Sequence, residues 1–81
     1  MDKKSITFEI KKKVATLAEV GKFTTIEVNM ISWNGAPAKL DIRKWTIKGG
    51  ERIMLRGLSI DQEEMAALKK ALEGVSPSDF S

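Results

Sequence analysis

Residues 32–45 contain both tryptophans of the chain, together with cationic residues at strand spacing. The stretch is typical of two strands around a turn, with Trp33 at the end of the first strand and Lys39, Arg43 and Trp45 along the second. Because successive strand side chains point to opposite faces of a sheet, each tryptophan shares a face with the polar residues of its own strand. Aromatic rings offer stacking surfaces to unpaired bases, and cationic side chains contact phosphates. The spacing therefore predicts a face that binds single-stranded nucleic acid.

The apolar residues of the same two strands fall on the opposite face. They are Ile26, Val28 and Met30 in the first strand, and Leu40 and Ile42 in the second. We expect this apolar face to supply the core, and the tryptophans to lie outside it. The alternation leaves an alternative of nearly equal weight, in which the tryptophans are buried under a loop or in a dimer interface.

The charge distribution is asymmetric along the chain. The net charge is +3, and it divides into +6 over residues 1–56 and −3 over residues 57–81. A basic body is typical of a surface that binds polyanions, with an ordinary solvated surface as the alternative. Further cations expected to extend the binding face are Lys11, Lys13, Lys22 and Arg56. For the lysine run at 11–13, the alternative is a charged sheet edge that prevents aggregation.

The composition argues against several functional classes. The chain has no Cys and no His, which removes disulfides, thiolate nucleophiles, imidazole bases and the commonest zinc ligands. Neither a phosphate-binding glycine loop nor a nucleophile elbow occurs. We therefore expect no enzymatic activity, no metal and no cofactor. No apolar run approaches the roughly 20 residues of a membrane span, and the first ten residues lack a signal-peptide core. We expect a cytoplasmic protein without a membrane partner, nucleoid-associated if the source is prokaryotic.

Alternating apolar residues separated by turn residues predict four strands. The predicted strands cover residues 6–10 with a continuation beyond, 23–33, 39–46 and 52–60. The first strand changes phase near residues 12–14, which indicates either a bulge or a turn there. The fourth strand changes phase across Gly57, which predicts a bulge at that glycine.

One helix is predicted after the fourth strand. Asp61 and Glu64 have the spacing of a capping box, and Gly74 is expected close to the helix end. Apolar residues then follow at helical spacing, as a stripe for core or dimer contact: Met65, Leu68, Leu72 and Val75.

The order of the elements predicts the fold class. Strands followed by a helix favour an α+β fold with an antiparallel sheet. We expect one domain over residues 1–75 and a mobile tail over residues 76–81. Because the core of so short a chain is small, oligomerisation is the expected source of further stability.

Five features of the chain resemble a known family. They are Glu27-x-Asn29, Ser32-Trp33-Asn34, a proline-containing loop, Asp41-Ile42-Arg43-x-Trp45 and a Gly-x-Ser pattern entering the capped helix. Together they are similar to the positive cofactor four (transcriptional coactivator) family, in its YdbC-like prokaryotic branch. The resemblance spans roughly residues 23–72. It implies a curved four-stranded antiparallel sheet followed by one C-terminal helix, assembled as a homodimer that binds single-stranded DNA across its sheets. It assigns Trp33, Arg43 and Trp45 to binding, with Lys39 beside the motif.

The predicted function is therefore that of a homodimeric single-stranded DNA-binding protein acting in transcription, replication or repair. A coactivator-like role would make the transcription machinery a further partner. Two alternatives remain at this point. One is a protein that binds single-stranded RNA, and the other is a protein-interaction module without nucleic-acid binding.

Overall fold

The computed structural model describes residues 7–80. Its elements in chain order are β1 Phe8–Val20, β2 Thr24–Trp33, β3 Lys39–Lys48, β4 Glu51–Ile60, α1 Gln62–Leu72 and a 3-10 helix Pro77–Phe80. The four strands form one sheet in the order β1-β2-β3-β4, and each neighbouring pair is antiparallel. The predicted α+β class, with a four-stranded antiparallel sheet followed by one helix, is confirmed.

Two parts of the sequence predictions fall at the chain ends. Ile6, predicted to begin the first strand, and Ser81, in the predicted tail, lie outside the described residues. The mobility predicted for the tail stays a prediction. Within the described residues, no helix has the length and apolar character required to cross a membrane.

The turn after β2 fixes the end of the strand that carries Trp33. Asn34 and Gly35 both adopt positive φ, of 52° and 80°. The turn is closed by the hydrogen bond from the Ala36 N–H to the Trp33 carbonyl at 2.9 Å. The Asn34 backbone N–H donates to the Thr7 carbonyl at 2.8 Å, and its side-chain oxygen accepts from the Thr7 N–H at 3.0 Å. These two hydrogen bonds hold the start of β1 against the end of β2.

Bulges bend β1 at three places. The register of β1 against β2 shifts between Ile10 and Lys12, between Lys13 and Ala15, and again between Thr16 and Ala18. The phase change predicted near residues 12–14 is therefore a bulge, and β1 continues through it as one strand. Each bulge bends a strand and increases its twist, so repeated bulges make this edge of the sheet curl.

A further bulge lies where β4 passes Arg43. Arg43 pairs with Gly57, but Trp45 pairs with Met54, so β4 has one residue more than β3 between these pairs. A Cβ atom at Gly57 would lie 1.9 Å from the Cβ of Arg43, so the backbones approach too closely for any side chain there. The bulge predicted at Gly57 therefore lies directly beside it, at residues 55–56, and Gly57 itself permits the close approach of the two backbones.

The helix begins and ends as its capping residues predict. The Asp61 carboxylate accepts from the Glu64 backbone N–H at 2.8 Å, and the Glu64 carboxylate accepts from the Asp61 N–H at 2.9 Å. The helix ends at Leu72, two residues before Gly74. No residue of α1 is buried, and only Met65 and Leu68 are partly covered. The apolar stripe is therefore not core within a single chain.

The buried residues lie on the face that carries the tryptophans. The residues with almost no exposure are Asn29, Ile31, Asp41 and Trp45. Strand pairing sets them on one face of the sheet, which we call the inner face. The opposite face, called the outer face, carries Val28, Met30, Leu40 and Ile42, all of them only partly buried.

The expectation that the apolar face supplies the core is therefore wrong for a single chain. The sheet curls around its inner face, so that Phe8 at the start of β1 lies within 6 Å of both tryptophan rings, at 5.8 Å from Trp33 and 5.9 Å from Trp45. Alternation identifies which residues share a face, but curvature decides which face is enclosed.

Candidate nucleic-acid interface

The register between β2 and β3 brings the predicted binding residues onto the inner face. Trp45 pairs with Thr25 and Arg43 pairs with Glu27, two residues apart along each strand. Trp33 continues the same face at the end of β2 and pairs with Phe8 of β1. The prediction that both tryptophans share the face of the polar residues is confirmed.

Trp45 is enclosed on this face. Only 3% of its surface is exposed. The Arg52 guanidinium lies 4.5 Å above its ring, and Phe8 packs against it at a tilt of 51°. The indole N–H of Trp45 has no hydrogen-bond partner among the described residues. The prediction that Trp45 lies outside the core is wrong, because the curl of the sheet covers it with Phe8 and Arg52. Its assigned contact with nucleic acid stays a prediction.

Trp33 is only partly buried and is therefore less enclosed than Trp45. Its indole N–H donates to the Ser59 hydroxyl at 3.0 Å. The Phe8 ring contacts it at a tilt of 42°, and the Arg43 guanidinium carbon lies 5.3 Å from its ring centre, within the range of a cation–π contact. Of the two tryptophans, Trp33 is therefore the one whose surroundings suit stacking on a base.

Arg43 is held inside the inner face and does not point freely into solvent. Its side chain is 13% exposed. Its Nε and Nη2 each donate to the Asp41 carboxylate at 2.7 Å, and its Nη1 donates to the Leu55 carbonyl at 3.1 Å. The hydrogen bonds to Asp41 raise the pKa of Arg43 in spite of its partial burial. Asp41 balances its charge, so only its remaining N–H groups are free for a phosphate.

The other predicted cations are exposed but do not form one cluster. They are Lys11, Lys13, Lys22, Lys39 and Arg56. Lys13 pairs with Asn29 and so belongs to the inner face, and Lys39 pairs with Ile31 at the start of β3. Lys22 lies in the β1–β2 turn, at the opposite end of β2 from Trp33. Lys11 forms a 3.5 Å surface ion pair with Glu9, an interaction of small energetic value.

A second polar group, which the sequence analysis did not assign to a site, surrounds Glu27. Its carboxylate accepts from the Arg52 guanidinium at 2.8 Å, from the Thr25 hydroxyl at 2.6 Å and from the Asn29 amide at 3.3 Å. Burial by itself raises the pKa of Glu27, but these hydrogen bonds together outweigh it and hold the pKa below its ordinary value of 4.5. Arg52 lies on β4, and no local pattern in the sequence connects it to Glu27.

Ser59 is also a site residue that sequence reasoning did not assign. It accepts from Trp33 and donates to Asp41 at 2.7 Å. The only signal in the sequence was its place in the Gly-x-Ser pattern before the helix. Within residues 7–80, no group of three or more acidic side chains has the arrangement of a metal site.

Comparison with known proteins identifies the family. The family model described as Transcriptional Coactivator p15 (PC4) matches residues 21–71, which include β2, β3, β4 and nearly all of α1. The chain belongs to this family. PC4-family proteins are known for single-stranded DNA binding and transcription coactivation. The matched segment contains Trp33, Arg43, Trp45 and Ser59.

A bacterial relative supports the prokaryotic branch of the PC4 family. An uncharacterized protein of Treponema pallidum (strain Nichols) is 33% identical over 69 residues, covering 85% of this chain and 79% of that protein. The resemblance to the positive cofactor four family and to its prokaryotic branch is confirmed.

Proposed function

We propose that this PC4-family protein is a homodimeric single-stranded DNA-binding protein that acts in transcription, replication or repair. The observation that carries the proposal is the partly exposed Trp33 on the inner face, with the Arg43 guanidinium 5.3 Å from its ring centre. Stacking on an aromatic ring is worth about 1–3 kcal/mol per base and accepts any base. Single strands are the proposed ligand because a duplex hides its base planes in the stack.

Exposed lysines supply the contacts to phosphate in this proposal. Lys13 lies on the inner face, and Lys39 begins the strand that carries Arg43. Both side chains are exposed, so their charge is available to a polyanion. Each phosphate contact releases counterions, which makes the affinity fall as the salt concentration rises.

The outer face supports the proposal of a dimer. It contains an open apolar cavity of about 540 Å³ between the sheet and the start of α1, lined mainly by Val14, Val28, Met30, Leu40, Ile60 and Met65. Leu58 on the same face is 62% exposed, and no residue of α1 is buried. A second copy of the chain would cover this apolar surface and complete a core that one chain leaves open.

We propose that the function is binding without catalysis. The polar groups of the inner face are paired with one another, since Asp41 accepts from Arg43 and Ser59, and Glu27 accepts from Arg52. Such mutual pairing supports a fixed binding surface. On this proposal the protein acts in the cytoplasm, on the nucleoid if the source cell is prokaryotic, and partners in the transcription machinery are part of the coactivator-like role.

A titration of labelled oligo-dT tests the proposal. We expect saturable binding that duplex DNA of the same length displaces poorly, and an affinity that falls linearly with salt on logarithmic axes, by about 0.7 per phosphate contact for a single strand. Fluorescence anisotropy at several salt concentrations, with duplex DNA and single-stranded RNA as competitors, measures the salt dependence of the affinity and the displacement by each competitor.

The other outcomes separate the alternatives. Stronger competition by RNA than by unlabelled oligo-dT would replace DNA with RNA as the ligand. An absence of binding at low salt would overturn the proposal and favour a protein-interaction module.

A further inference from the structure

Two motifs that resemble the PC4 family lie directly opposite each other in the sheet. Asp41 pairs with Ser59, and Arg43 pairs with Gly57, across β3 and β4. Gly57 has no side chain, and this permits the close approach of Arg43. A Cβ atom added to residue 57 would lie only 1.9 Å from the Cβ of Arg43. The two motifs are therefore halves of a single arrangement, which also contacts Trp33.

The contacts of this arrangement form a closed ring. The Trp33 indole N–H donates to the Ser59 hydroxyl at 3.0 Å, and the Ser59 hydroxyl donates to Asp41 Oδ1 at 2.7 Å. Arg43 donates to both oxygens of Asp41 at 2.7 Å. The guanidinium of Arg43 then lies 5.3 Å from the Trp33 ring centre, which closes the ring.

The direction of each hydrogen bond in the ring is fixed by chemistry. Asp41 is fully buried beside Arg43, and an ionised carboxylate only accepts. The Ser59 proton must therefore go to Asp41, which leaves the lone pairs of its oxygen for the indole N–H, a group that only donates. Ser59 consequently holds the indole of Trp33 in one orientation.

We infer that Ser59 and Asp41 are positioning residues that set the plane of the Trp33 ring for an unpaired base. The inference rests on the proposed function, because it assigns these residues to the stacking surface of the same site. A ring already fixed in its binding orientation loses less side-chain freedom when the base stacks, and so binds more tightly than a mobile ring. Asp41 acts through Ser59 on one side of the indole and through Arg43 on the other.

A double-mutant cycle separates positioning from general stabilisation of the sheet. Ser59→Ala removes the acceptor of the indole N–H, and Trp33→Phe removes the N–H while keeping an aromatic ring. We expect Ser59→Ala to weaken oligo-dT binding by about three- to tenfold in the wild-type background, the effect of one lost hydrogen bond. In the Trp33→Phe background the same change should alter the affinity by less than about twofold, because no N–H remains to be held.

A conservative variant and a stability measurement complete the experiment. Ser59→Thr keeps the hydroxyl on a residue type that strands favour, so it should restore most of the affinity lost in Ser59→Ala. Thermal melts of every variant establish that the compared proteins are folded. If Ser59→Ala does not fold, Ser59→Cys takes its place in the cycle, because a thiol fills a similar volume but accepts a hydrogen bond only weakly.

The outcomes distinguish this inference from the proposed function. If Trp33→Ala binds oligo-dT as tightly as the wild type, the proposed stacking function fails. The proposed function stands if Trp33→Ala loses affinity for oligo-dT. The positioning inference is nevertheless overturned if Ser59→Ala changes the affinity equally in the wild-type and Trp33→Phe backgrounds, or changes it in neither.

Discussion

Trp33 and Trp45 carry the same side chain on the same face of the sheet, but their surroundings differ. Trp33 is half-buried, whereas Trp45 is 3% exposed and packs against Phe8 and Arg52. An aromatic ring must keep an accessible face to stack on a base, while an enclosed ring stabilises the fold. At the scale of single residues, we therefore expect Trp33 to contribute mainly to binding and Trp45 mainly to stability.

Substituting each tryptophan with alanine tests this division. Trp33→Ala should weaken oligo-dT binding by about 1–3 kcal/mol, the value of one lost stack, with a smaller loss of folding stability. Trp45→Ala should lower the free energy of unfolding by about 3–5 kcal/mol, as for truncation of a buried aromatic. Urea melts beside binding curves measure both effects. A Trp45→Ala protein as stable as the wild type would contradict the enclosed position of this ring.

Lysines on the two faces of the sheet allow a matched test of the phosphate contacts. Lys13 belongs to the inner face and Lys44 to the outer face of β3, and both are exposed. Lys13→Ala should reduce the slope of log affinity against log salt by about 0.7, the value of one phosphate contact on a single strand. Lys44→Ala serves as the control and should leave the slope unchanged. Equal slopes in the two variants would exclude the inner face as the path of the strand.

The pKa of Glu27 predicts how the stability of the fold depends on pH. Hydrogen bonds hold this pKa below 4.5, its ordinary value and that of the unfolded chain. The stabilisation is therefore fully present above pH 4.5 and is lost as the pH falls through the lower pKa of the folded state. Glu27→Gln should be less stable than the wild type near neutral pH, and the difference should narrow on acidification. Urea melts at a series of pH values measure the difference in the free energy of unfolding between Glu27→Gln and the wild type. A difference that does not depend on pH would refute the role of this carboxylate.

At the scale of secondary-structure elements, the bulge in β4 sets how β3 and β4 approach each other. Gly57→Ala should destabilise the protein by about 1–3 kcal/mol or more, because the new methyl group would overlap the Cβ of Arg43. Gly74→Ala is the matched control, since its Cβ would meet only the Ala71 carbonyl oxygen, at an ordinary contact distance of 3.6 Å. Thermal melts of the two variants measure the effect, and equal melting temperatures would contradict the close approach of the strands at Gly57.

At the scale of the whole molecule, one chain leaves its outer face and helix largely uncovered. We expect a dimer in solution at micromolar concentration, with twice the 9.0 kDa mass of one chain. Leu58→Glu adds a charge to a side chain that is 62% exposed on the outer face, so it should yield a folded monomer. Phe23→Glu, at a side chain in the β1–β2 turn that is 59% exposed, is the control and should remain dimeric. Sedimentation velocity measures the mass, and a monomeric wild type would refute the dimer.

The sequence by itself determined the four strands, the helix α1 and the faces that the residues of β2 and β3 occupy. Turn residues, strand alternation and the Asp61–Glu64 capping box depend on interactions between near neighbours, so they can be predicted without knowing the fold. The bulge beside Gly57 was predictable for the same reason, as a local change of phase. The family resemblance also came from short segments, including the one that ends in Trp45.

Only the tertiary structure decided which face is enclosed and how the site is held together. The bulges of β1 curl the sheet and bring Phe8 over Trp45, and no pattern of alternation encodes the direction of that curl. The hydrogen bond from Trp33 to Ser59 joins residues 26 positions apart. Asp41 has the polar character of a surface residue but is fully buried, because Arg43 and Ser59 satisfy its carboxylate. Burial of a charged group depends on such distant partners, which become neighbours only when the strands pair and the sheet curls.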